Sequence, residues 1–134
     1  MVEFAMVIPI FLLLFAAVAD FGFALFSRMT VINAARDGAR SAVVLADHSV
    51  IVSTAQDAAR SSAAGGLVTL SSDPVVTCLQ TSTSVSSPST IGCAASVKGD
   101  SVKVTVNYQY HTFFPLLLGA SFNLSATVQM VIDS

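Results

Sequence analysis

The chain is 134 residues long, 54% hydrophobic and only 10% charged, with a net charge of −2. That balance suits a membrane-inserted or assembled protein better than a free soluble domain, and the length allows one domain rather than several. Without a basic cluster there is no electrostatic basis for nucleic-acid binding.

The first predicted element is apolar from Phe4 to Phe26, with Asp20 the one charge inside it. A helix over that segment reaches roughly 35 Å, enough to cross a bilayer. Pro9 falls one to two turns in, where it removes a backbone hydrogen bond and often kinks or loosens a helix. Trp is absent, so the span lacks the commonest interfacial anchor. Glu3 stands at the mouth of the run. A carboxylate in hydrocarbon costs several kcal/mol unless paired, so Glu3 either lies at headgroup level or is held for a partner arriving in trans. Asp20 poses the same problem. Its candidate partner is Arg28 of a neighbouring copy, because within one helix the two are about 12 Å apart along the axis. The alternatives are water at the outer end of the span or a hydroxyl such as a neighbour's Ser27.

Residues 28–46 continue the helical pattern. Ile32, Ala35, Ala39, Ala42 and Ala46 form one stripe, small enough for another backbone to approach closely. Asn33, Arg36, Asp37 and Arg40 take the other side. Asp47-His48-Ser49 interrupts or bends the helix, and Asp47 or Ser49 suits the N-cap of a second one. Residues 50–64 place Ile51, Ala55, Ala58 and Ser62 on one face. Gly65-Gly66 is a stop, since Gly takes the left-handed conformation at a helix end without strain.

Beyond Gly66 the period becomes two. Pro74–Cys78 predicts a short strand. Val102, Val104, Val106, Tyr108 and Tyr110 alternate with polar residues, as do Phe122, Leu124, Ala126, Val128, Met130 and Ile132; these are expected to be long antiparallel neighbours. Ser and Thr fill eight of the eleven positions from Thr81 to Ile91, which predicts an exposed polar loop without regular structure. The connection Phe113-Phe114-Pro115-Leu116-Leu117-Leu118-Gly119 is unusually apolar. It either folds under the sheet as core or forms a contact patch for another subunit or the membrane surface.

Cys78 and Cys93 stand outside the span. One pair in a small exported domain is expected to form a disulfide, worth roughly 3 kcal/mol in the chain-entropy model; two buried free thiols are the alternative. His48 and His111 lie far from the cysteines and lack zinc-ligand spacing. No Gly-rich phosphate loop, Ser/His/Asp set or paired carboxylates are found, so neither an enzyme nor a cofactor is expected. Asn123-Leu124-Ser125 matches the glycosylation sequon, a match common by chance.

Several segments resemble a known family. Val2-Glu3-Phe4-Ala5-Met6-Val7-Ile8-Pro9, Asp20-Phe21-Gly22 and Asn33-Ala34-Ala35-Arg36-Asp37-Gly38-Ala39-Arg40 are similar to the N-terminal helix of TadE-like pilins and pseudopilins. Val102–Tyr108, Phe114-Pro115-Leu116-Leu117 and the last strand resemble the family's C-terminal half. The resemblance implies a short basic leader cut by a prepilin peptidase, and a mature helix drawn from the membrane into a filament by the pilus machinery. Glu3 matches the family's glutamate by motif rather than by count. The resemblance also implies a partner for it, the N-terminal ammonium of a neighbouring chain.

These observations predict an α+β chain. Residues 1–27 form a hydrophobic transmembrane or filament-core helix, 28–66 an amphipathic helical region with a second short helix, and 67–134 a small antiparallel β domain with one disulfide. The expected role is a subunit of a helical homopolymer, held in the inner membrane before assembly and extracellular afterwards, with Glu3, Phe4, Pro9, Asp20 and Arg28 as assembly residues. The other readings are a single-span anchor with a binding domain and a minor pseudopilin.

Overall fold

One helix, α1, runs from Val2 to Val43; its 42 residues reach about 63 Å. It belongs to a computed structural model that describes residues 2–45, 47–66, 68–80, 89–112 and 121–133, with the backbone alone for Val2, Glu3 and Ala5. Pro9 lies inside the helix without ending it. The two halves of α1 differ in what they touch. From Asp20 onward, Asp20, Ser27, Thr30, Val31, Ala34, Ala35, Ala39 and Ala42 are buried, a stripe wider than the one through Ile32, which is half-buried at its margin. Asn33, Arg36, Asp37 and Arg40 are exposed on the other side.

The chain breaks after Val43 rather than bending. A 3-10 turn, His48–Val50, leads directly into α2, Ile51–Gly65. Asp47 caps that turn: its Oδ1 accepts from the Ser49 amide at 3.0 Å and from the Ser49 hydroxyl at 2.6 Å. Val50 occupies the N-cap position of α2 and makes no side-chain cap. α2 folds back along α1, since Ala55 and Ala59 meet Gly38 while Gly66 meets Thr30. Its buried line is Ile51, Ala55, Ala59 and Ala63. The expected Ala58 and Ser62 are half-buried on its flank, because the contact follows the groove at Gly38. Ser62 donates to Asp37 Oδ2 at 2.6 Å.

The stop at Gly66 has a different cause from the one expected. Its φ is −90°, not left-handed. A Cβ there would lie 2.8 Å from Thr30 Oγ1, so the residue is small to let the chain pass α1.

Gly38 gives a test of helix–helix distance. An added Cβ would lie 2.8 Å from the Ala55 carbonyl oxygen and 3.1 Å from Ala59 Cβ. Gly38→Ala is expected to destabilise by about 1–3 kcal/mol, the usual cost of overpacking. Gly65 has nothing within 4 Å of such an atom. Gly65→Ala should be neutral or slightly stabilising, as alanine favours helix. Thermal melts of both variants in one detergent compare them; equal melting temperatures would contradict the close approach.

Four antiparallel strands follow: β1 Val75–Gln80, β2 Ser89–Ile91, β3 Ser101–His111 and β4 Ser121–Val131, in the order β2-β1-β3-β4. β3 and β4 pair along their whole length, with Val104 opposite Val128 and Tyr110 opposite Phe122. β2 lies inside the Ser/Thr-rich stretch expected to be irregular; it pairs with the end of β1, Cys78 opposite Ile91. The inward face carries Val102, Val104, Val106 and Ala126. The outward face is polar, with the Thr105 and Thr127 hydroxyls 3.0 Å apart. The second half of α1, α2 and the sheet share one core, in which Val31, Ala35, Ala39, Ile51, Ala55 and Ala59 meet Cys78, Val102, Val104 and Val106. The described parts of residues 28–66 and 67–134 are therefore packed together.

Candidate functional site

The site is α1 itself and the place where the sheet is seated on it. From Phe4 to Phe15 every described side chain is exposed, Phe4 at 76%. An apolar surface on all sides of a helix is stable only inside lipid or against other apolar surfaces. α1 is long and apolar enough to cross a membrane. Phe4 and Pro9 lie on this projecting part. The Glu3 side chain is outside the described residues, as is the apolar patch Phe113, Phe114, Pro115, Leu116, Leu117 and Leu118. The strand ends flanking that patch, His111 and Ser121, stand opposite each other at the same end of the sheet as Tyr110.

The seat is a buried bond. β3 runs antiparallel to α1: Val104 lies near Gly38, and Tyr110 reaches Asp20. The Tyr110 hydroxyl stands 2.6 Å from Asp20 Oδ1, to which it donates, and 3.1 Å from the Asp20 carbonyl oxygen. Asp20 is 1% exposed and Tyr110 4%, so the carboxyl is closed off from the surroundings. Burial first, then the hydrogen bond and charge of Asp20, push the Tyr110 phenol from its ordinary 10.0 to about 12. The folded state thus holds the phenolic proton more tightly. This contribution is complete below pH 10 and is lost as pH climbs towards about 12.

Asp20 therefore takes a partner from its own chain, 90 residues away in sequence. Arg28 is exposed. In the sequence Tyr110 has the inward parity of β3 and Asp20 needs a partner, but nothing local joins the two.

A double-mutant cycle tests the bond within the chain. A hydrogen bond to a charged group is worth about 1.5–3 kcal/mol. Asp20→Ala and Tyr110→Phe should couple by about that amount in denaturant unfolding, whereas Asp20→Ala and Arg28→Ala should be additive within about 0.5 kcal/mol. Additivity in the first pair with coupling in the second would overturn the assignment.

Cys78 and Cys93 are joined in a disulfide. It ties β1 to the 3-10 turn Cys93–Ala95, next to which the Ser96 carbonyl oxygen lies 2.7 Å from His48 Nδ1. Among the described residues no three His, Cys, Asp or Glu side chains gather in a way that could hold a metal ion.

The family model described as TadE-like protein matches residues 1–40. No curated protein and no solved structure matches the chain. The match covers the projecting part of α1 and all of its buried stripe except Ala42. Together with the apolar helix it fits a membrane-anchored protein associated with the Tad pilus.

Proposed function

Residues 1–40 being TadE-like, we propose that this chain is a structural subunit of an extracellular pilus-like filament, polymerising through α1 with its sheet domain outside. The observation that carries the reading is the unbroken exposure of apolar side chains from Phe4 to Phe15. Drawn out of lipid, such a helix needs other helices to cover it. Copies of this chain supply them, and a head-to-tail contact that does not close builds an open helical filament. Before assembly the chain sits in the inner membrane, where a prepilin peptidase and the pilus machinery process and polymerise it. The role is structural, without a catalytic step or cofactor.

The packing of the sheet on α1 supports this reading. A domain fixed directly to the helix passes its position on to the outside of the filament, which a flexible tether would not do. The rigid seat also suits a single-span anchor presenting a binding domain, and shearing cells separates the two. A filament subunit appears in the sheared, sedimenting fraction on immunoblots. Protein confined to the membrane fraction would contradict polymerisation and favour the anchor.

A further inference from the structure

We infer that, before assembly, the Tyr110–Phe122 end of the sheet rests in the headgroup layer of the bilayer, making a second membrane contact beside the span. This rests on the membrane stage of the reading above. Along the faces of α1 that the sheet leaves open, apolar side chains continue past Phe15 through Val18, Phe21, Phe23, Leu25 and Phe26. The next charge beyond Asp20, Arg28, is exposed. The apolar band thus extends to Phe26, while the sheet begins at Asp20. Six helical residues, about 9 Å, separate the two levels. A sheet end bonded to Asp20 is therefore at the depth of the outer part of the band.

The chemistry of that end matches the depth. Tyr110 opposes Phe122 in register, their ring centroids 5.1 Å apart, and Phe122 is exposed. Tyr110 is buried with its hydroxyl turned to Asp20, so the ring this end presents outward is Phe122, an exposed apolar surface that contact with the bilayer boundary would cover. A carboxylate within the band is costly unless shielded, and Tyr110 shields Asp20. Two features keep the end from going deeper. His111 and Ser121 are exposed there, and β4 is an edge strand whose outer backbone groups need polar partners. Headgroups and their water supply such partners; hydrocarbon does not.

The chain lacks Trp, so Phe122→Trp creates a single indole reporter. The full chain, at low protein-to-lipid ratio, is placed in phosphatidylcholine vesicles made with ordinary lipid, lipid brominated close to the headgroup, or lipid brominated deep in the acyl chain. Phe122→Trp is expected to lose most of its emission with the shallow bromines and little with the deep ones. Val131→Trp, at the far end of β4 and about 30 Å away, is expected to lose none. Leu12→Trp, within the span, should be quenched most by the deep bromines. Equal Phe122→Trp emission in all three vesicles, with Leu12→Trp quenched, overturns the inference and leaves the membrane stage intact. Blue-shifted but unquenched Phe122→Trp emission means a protein contact such as a second copy, and also overturns it. Unquenched Leu12→Trp overturns the membrane stage itself, and the inference falls with it. If Phe122→Trp loses the Cys78–Cys93 disulfide, Ser121→Trp reports from the same end under the same criteria.

Discussion

Glu3→Ala is expected to leave the protein exported, disulfide-bonded and membrane-held, but absent from sheared filaments. The separation of effects follows from where the core lies. Among the described side chains of α1 the first buried one is Asp20, about 25 Å along the helix from Glu3. Removing a carboxylate that far from the sheet should not change the melting temperature of the folded domain. The proposed polymerisation is different. There each incoming helix would bring Glu3 to the mouth of an apolar bundle, where an unpaired charge costs several kcal/mol. In the proposed filament the N-terminal ammonium of a neighbouring chain would neutralise it, favouring a subunit in correct register over one slipped along the axis. Without the carboxylate that ammonium is left unpaired and the register is no longer selected. Immunoblots of sheared and membrane fractions read the outcome. Wild-type amounts of sheared filament from the Glu3→Ala strain would argue against charge matching.

Replacing both cysteines by alanine is expected to destabilise the folded domain by about 3 kcal/mol, the chain-entropy value for a loop of this size. The residues bridged are 15 apart in sequence. Cys78 is fully buried in the core, opposite Val102 on β3 and Ile91 on β2. The short strand β2 depends on this tether more than any other element, because it pairs with β1 through only three residues. The melting temperature should fall by about 10 °C. Hydrogen exchange should quicken first at residues 89–95, while β3 and β4, paired over eleven residues, keep their protection. A melting temperature unchanged on reduction would show that the disulfide constrains nothing the fold requires.

Period-two alternation located β3 and β4 almost to the residue, because each has one face on the core and one in solvent. The same logic fails for β2. Three residues carry no period, and Ser89 and Thr90 look like their Ser/Thr-rich surroundings; the strand exists because β1 offers it an edge. On α2 the period was legible but the phase was not. Alanine stands at both 58 and 59, and the choice of Ala59 is made by Gly38 on another helix. Gly65-Gly66 was correctly read as a stop but for a local reason, whereas the structure gives a tertiary one at Thr30. The Asp20–Tyr110 bond was half legible. A charge in an apolar run demands a partner; the sequence points to Arg28 of a neighbouring copy and gives no sign of Tyr110. Pairing across 90 residues depends on the sheet packing against α1 in antiparallel sense, which composition does not encode. The apolar helix needed no such context, since its exposure in the single chain follows from having no polar side to present.

The most direct test of polymerisation through α1 is electron cryomicroscopy of the sheared fraction with helical reconstruction. The account predicts a filament built from this chain, with residues 4–26 of successive copies packed together at the axis and the four-stranded sheets outside. A filament with the sheets at the axis and residues 4–26 facing water would contradict it, as would sheared filaments that do not contain the chain.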